Sequence, residues 1–128
     1  MTGPLSERGR DERGAAMVEF ALVLPLLVLL VFGIIEFGRA YNAKVSLTGA
    51  VREGARVHAL ADGDPVAVTR QAAPTLKTQD IAVTTSASPC TSGEPATVTA
   101  SYPFTYSIPF FGEGTITIQE SGVMRCGG

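Results

Sequence analysis

The sequence predicts an α+β fold. It consists of a long N-terminal helix with a transmembrane half and an amphipathic half, a short second helix, and a three-stranded antiparallel sheet packed on the lower half of the long helix. Three observations predict it. From Phe20 to Ile35 no residue carries a charge. Beyond Glu36 apolar residues recur at helical spacing among charged ones. After Pro74 the period switches to two, in stretches that alternate apolar and polar side chains.

Residues 1–14 are polar and rich in arginine, with no apolar periodicity. They read as a disordered cytoplasmic leader to be removed. Arg8, Arg10 and Arg13 are balanced by Glu7, Asp11 and Glu12, so removal leaves the net charge of −2 unchanged. Residues 15–36 read as a transmembrane helix. At ~1.5 Å per residue they cover the ~30 Å of a hydrocarbon core, and soluble helices rarely stay apolar all round for so long. Pro25 lies inside the span, removes one backbone hydrogen bond and should kink or loosen the helix locally, which membrane helices tolerate. Glu19 is the one carboxylate at the mouth of the run. A carboxylate costs on the order of 2.5–3.5 kcal/mol at mid-bilayer and less near the interface, where the helix N-terminus also favours it.

Residues 37–128 read as an extracytoplasmic α+β domain. Phe37, Tyr41, Val45, Thr48, Val51 and Ala55 form the apolar stripe of an amphipathic continuation of the same helix, with Arg39, Lys44, Arg52, Glu53 and Arg56 between them. Gly49 and Gly54 weaken it by up to ~1 kcal/mol each relative to alanine, so it needs packing against the domain. Gly63 suits a C-terminal cap, Asp64 an N-cap and Pro65 the first position of a second helix that reaches about Ala73. Val66, Ala67, Ala72 and Ala73 supply its buried side. Ile81, Val83 and Thr85 define a first strand. Val98, Ala100, Tyr102 and Phe104 define a second, in which Pro103 implies an edge position or a bulge. Thr115 to Met124 forms a third, with Ile116 and Ile118 on one face. Ile108-Pro109-Phe110-Phe111 joins the last two strands; an exposed apolar tip could insert into lipid or dock a partner, but such residues more often fold back over a core.

The two cysteines, Cys90 and Cys126, both lie beyond the apolar span. That is consistent with one disulfide in an oxidising compartment. In a meander of order 1-2-3 the strands preceding them end ~9–10 Å apart, beyond the ~7 Å limit for a bridge. Either the loop at Ser88-Pro89-Cys90 folds across, or the third strand pairs beside the first. Charge does not orient the span, because Arg39, Lys44, Arg52 and Arg56 follow it as three arginines precede it.

No nucleophile motif, phosphate loop, dinucleotide fingerprint or metal-ligand spacing occurs in the sequence. The sole histidine, His58, reads as a surface residue. With no basic cluster, nucleic acid is not the expected partner. The chain reads as a non-enzyme with no cofactor and no small-molecule substrate.

Gly14-Ala15, with Glu19 at the fifth position after the Gly–Ala step, is similar to the prepilin-peptidase site of type IV pilins and pseudopilins. Together with Phe20-Ala21-Leu22-Val23-Leu24-Pro25 and Gly33-Ile34-Ile35-Glu36-Phe37-Gly38-Arg39-Ala40, it resembles the TadE-like proteins of tight-adherence (Flp) pilus systems. Arg52-Glu53-Gly54-Ala55-Arg56 and Val123-Met124-Arg125 also resemble that pattern. The resemblance implies cleavage between Gly14 and Ala15 by a prepilin peptidase. It further implies that Glu19 meets the free amine of a neighbouring subunit. The implied partners are the membrane, the peptidase, other pseudopilins or pilins, and the pilus assembly machinery. The N-terminus is then cytoplasmic, and the protein either assists assembly or enters the pilus as a minor component. Two other readings remain open from sequence. One is an unprocessed single-pass binding protein of the envelope, and the other is an exported soluble protein released by signal peptidase. The second meets an apolar run longer than the usual ~7–15 residues and a poor cleavage site at Gly38-Arg39-Ala40.

Overall fold

A computed structural model of the chain describes residues 4–127. One helix, α1 (Pro4–Leu60, 57 residues), organises everything else. It is followed by α2 (Pro65–Gln71), a 3-10 turn at Thr78–Asp80, and three strands: β1 (Ala82–Thr85), β2 (Pro95–Ile108) and β3 (Gly112–Arg125). The sheet is antiparallel, in the order β1-β2-β3, and packs with α2 against the C-terminal half of α1. This is the α+β architecture that the residue pattern predicts.

Disorder in the leader is not what the structure shows, because α1 already runs through residues 4–14. Pro4 suits a first helical position, and extending a nucleated helix adds a hydrogen bond per residue without a new nucleation cost. Residues 1–3 of that leader lie outside the described residues. The helix also continues unbroken through Pro25.

The C-terminus of α1 is capped differently from expectation. Ala61, not Gly63, takes the left-handed conformation next to the helix, with φ +52°. Its N–H donates to His58 O at 3.3 Å, and the Asp62 N–H donates to Val57 O at 3.1 Å. This pairing is a Schellman motif with alanine where glycine is usual, at a cost of roughly 1 kcal/mol. Asp64 then caps α2 as expected, accepting from the Val66 N–H at 3.0 Å. The second helix stops at Gln71, short of Ala73, and its buried anchor is Thr69. Thr69 Oγ1 donates to Pro65 O at 2.6 Å and lies directly over Gly54, where a Cβ would overlap it. Gly54 therefore permits the α1–α2 contact instead of merely weakening the helix.

The buried stripe of α1 is rotated from the predicted one. Ala43, Leu47, Ala50, Val51 and Ala55 are buried, against Val98, Ala100 and Phe104 of β2 and against Ile81. Of the predicted stripe only Val51 and Ala55 are buried, while Phe37, Tyr41 and Val45 are exposed. Small side chains at Ala43 and Ala50 let the sheet approach, so the bulky residues are left on the outer face. At Gly122 on β3 the approach leaves no room for a side chain. A Cβ there would fall on the backbone carbonyl of Val51.

The period-2 assignment of β2 holds, with Val98, Ala100 and Phe104 buried and Tyr102 half-buried. Its partners on the inner face of β3 are Gly122, Glu120, Ile118 and Ile116. Pro103 stands just past Ser101, the last β2 residue paired to β1, so β2 has a free edge there. Ile81 precedes the first strand instead of opening it, and is buried as the residue that closes the 3-10 turn.

Candidate functional site

Two regions carry the features singled out in the sequence: the apolar half of α1 with its N-terminal flank, and the junction where that half meets the sheet. From Gly9 to Leu27 every residue is exposed, including Met17, Phe20, Leu22 and Leu26. A helix that presents large apolar side chains on all sides has no place in water. Over Gly9–Leu60 α1 is long and apolar enough to cross a membrane. Gly14, Ala15 and Glu19 all lie on this exposed helix, and nothing approaches Gly14 within 4 Å. Ala15 and Glu19 stand one turn apart on a single helix face.

The junction was not legible as a site. Glu36 accepts from Arg39 Nη1 at 2.7 Å and, through its other oxygen, from the backbone N–H of Ser107 at 3.1 Å. The Arg39 guanidinium carbon lies 5.3 Å from the centroid of the Phe104 ring. One charged pair at the end of the apolar run thus clasps the far end of β2. The i, i+3 spacing of Glu36 and Arg39 was visible in the sequence, but the reach to Ser107 depends on strand register. The hairpin tip beside it is also exposed, not folded back: Phe110 is 83% and Phe111 78% accessible. The Phe111 N–H donates to Ile108 O at 3.1 Å, with Pro109 and Phe110 between them. Phe110 has φ +70°, the conformation that the third position of a type II turn demands and glycine fills most cheaply. A phenylalanine there costs roughly 1–2 kcal/mol.

At the opposite end, Cys90 and Cys126 are joined by a disulfide with a Cα–Cα distance of 5.9 Å. The strand order leaves β1 and β3 on opposite sides of β2, and the 86–94 loop folds across the sheet end to bring Cys90 to Cys126. Cys126 is buried with Ala59 and Ala96, and the Gly127 N–H donates to Ala59 O at 2.9 Å. The bridge therefore ties both the loop and the last strand to the end of α1.

His58 is not a surface residue. It is 4% exposed, and its Nε2 lies 3.2 Å from Ser86 Oγ, which also accepts from the Thr97 N–H at 3.0 Å. This histidine is a structural link between α1 and the sheet end. On the exposed face Arg56 donates to Glu53 at 2.7 Å and holds that carboxyl below its usual range. Among the described residues no group of three His, Cys, Asp or Glu side chains is placed to hold a metal ion.

An exposed apolar helix carrying a small disulfide-tied α+β domain defines a class of protein, the single-helix membrane-anchored module. Residues 14–56, about a third of the chain, match the family model described as TadE-like protein. That description points to a pilus-associated family. No curated protein and no solved structure matches the chain.

Proposed function

We propose that this protein is a pseudopilin of a tight-adherence pilus system, cut between Gly14 and Ala15 by a prepilin peptidase and acting in pilus assembly or as a minor pilus component. The observation that carries the reading is the apolar helix, exposed at every residue from Gly9 to Leu27, with Glu19 at the fifth position after the Gly14–Ala15 step. The family match, which starts at Gly14, supports it. Residues 15–36 hold the chain in the membrane. Residues 37–128 lie outside the cytoplasm, which the disulfide between Cys90 and Cys126 favours. A peptidase must open the helix locally to reach the bond, and Gly9 and Gly14 lower that cost by ~1 kcal/mol each relative to alanine. Cleavage leaves a new amine on Ala15. Glu19 of a neighbouring subunit offsets the burial of that charge, as it offsets the burial of its own. The exposed face of Phe37, Tyr41 and Val45 continues the apolar helix beyond the membrane and offers a packing surface for neighbours.

Mass spectrometry of protein extracted from membranes of cells that carry the cognate peptidase tests the reading. The expected product begins at Ala15. A product that keeps residues 1–14 would show an unprocessed anchor, and a start near Ala40 would show release by signal peptidase; either result rejects the proposal. A bulky replacement of Gly14 is expected to block the cut. Glu19→Ala is expected to leave insertion intact or improved, since it removes a charge from an apolar run, while pilus assembly falls. Unchanged pilus yield with Glu19→Ala would remove subunit pairing from the mechanism.

A further inference from the structure

Phe110 and Phe111 are more exposed than any other large apolar side chain among the described residues, and neither joins the core. Phe110 also holds a turn conformation that glycine would adopt more easily. The fold gains nothing from an aromatic ring in that place, so its use lies in what the tip touches.

The height of the tip is set by α1. The Ser107 N–H donates to Glu36, the last residue of the apolar span. From Glu36 to Val51 the helix rises ~22 Å. From Ser107 back to Val98, whose register partner Gly122 lies on Val51, β2 extends ~30 Å. The hairpin therefore climbs α1 obliquely toward the apolar half, gaining ~2.5 Å along the helix axis per strand residue. At that rate Pro109 to Phe111 lie ~5–8 Å past Glu36, level with about Val31 to Gly33. On the reading of residues 15–36 as the span, Glu36 and Arg39 mark headgroup depth and the tip stands just inside it, a depth that phenylalanine takes up on interfacial segments.

We propose that the Phe110-Phe111 tip is a second membrane contact. Its two rings sit at the boundary between headgroups and acyl chains in the leaflet from which α1 emerges. A single helix leaves its domain free to turn about the helix axis. A second contact on one side fixes which face of α1 is covered by lipid and which is open to neighbours. The proposal rests on the reading of residues 15–36 as a membrane span.

The chain contains no tryptophan, so Phe111→Trp supplies a single reporter. The full-length protein is reconstituted into phosphatidylcholine vesicles with and without bromine on the upper acyl chain. Phe32→Trp reports on the span, and Val123→Trp, exposed on the outer face of β3, reports on the far end of the sheet. Brominated lipid is expected to lower emission roughly twofold for Phe111→Trp and Phe32→Trp and to leave Val123→Trp unchanged. Quenching of Phe32→Trp alone overturns the proposal while keeping the anchor, and leaves the tip free for a protein partner. Absence of quenching at both positions overturns the anchor and the tip contact with it. Equal quenching of Val123→Trp and Phe111→Trp shows a domain lying flat on the bilayer, and also rejects the tip as a specific contact.

Discussion

Loss of the Cys90–Cys126 bond, by reduction or by the double substitution Cys90→Ala and Cys126→Ala, is expected to destabilise the sheet domain by about 3–4 kcal/mol. The cysteines are 36 residues apart in sequence, so the bond removes substantial loop entropy from the unfolded chain. The domain has little to set against that loss. Its core is built largely from alanine and valine on α1 and β2, with Leu47, Leu76, Ile81 and Phe104 as the large contributors. The ends tied by the bond are otherwise held by single backbone hydrogen bonds. Cys126 N–H donates to Glu94 O at 2.9 Å, Gly93 N–H to Cys126 O at 3.2 Å, and Gly127 N–H to Ala59 O at 2.9 Å. These should fray first. Helical signal from α1 would mask the change, so the measurement is native-state hydrogen exchange of β2 and β3 amides in detergent, with and without reductant. A loss below about 1 kcal/mol would show that the sheet end is held by packing and not by the bridge. Alanine is used because a serine at buried Cys126 would add an unsatisfied hydroxyl to the comparison.

Element type was legible where one physical signal dominated. An uncharged apolar run with no polar face has few folded forms, and alternation along β2 told its buried face correctly. Three parts were not legible, each for a reason that lies in tertiary contact. The helical period of α1 was visible, but two stripes satisfy it. The small residues Ala43 and Ala50 won over Phe37, Tyr41 and Val45, because strand backbone can approach only a slim helix face. The bridge left two topologies open, since strand spacing alone could not say that the 86–94 loop crosses the sheet end. The clasp between Glu36 and Ser107 joins residues that only a full register brings together. The processing residues were different in kind. Gly14, Ala15 and Glu19 are all exposed on the helix, so their meaning rests on pattern and family match instead of packing.

Gly122→Ala is expected to cost about 2–3 kcal/mol, far more than the same change at Gly114 on the same strand. Both residues face the helix side of β3, opposite Val98 and Tyr106 respectively. At Gly122 the added methyl would meet the carbonyl of Val51 and the amide nitrogen of Arg52. Both are helix backbone, locked in the hydrogen-bond ladder of α1, and a helix cannot yield locally without losing bonds. The sheet must lift instead, which loosens Leu47, Ala50 and Val51 against Val98 and Ala100. At Gly114 the methyl would meet the ring of Tyr106, a half-buried side chain near the tip that can swing aside, and alanine there should change stability by less than about 1 kcal/mol. The two variants are compared by thermal melting of the full-length protein in detergent, followed through tyrosine near-ultraviolet dichroism. The lift should also open the clasp at the other end of the hairpin, since the strand that rests on Val51 pairs with the one that holds Ser107 to Glu36. Faster hydrogen exchange at the Ser107 amide in Gly122→Ala would report that coupling. Equal melting temperatures for the two variants would mean that the sheet slides over α1 without cost, and that the close backbone approach does not set the height of the hairpin.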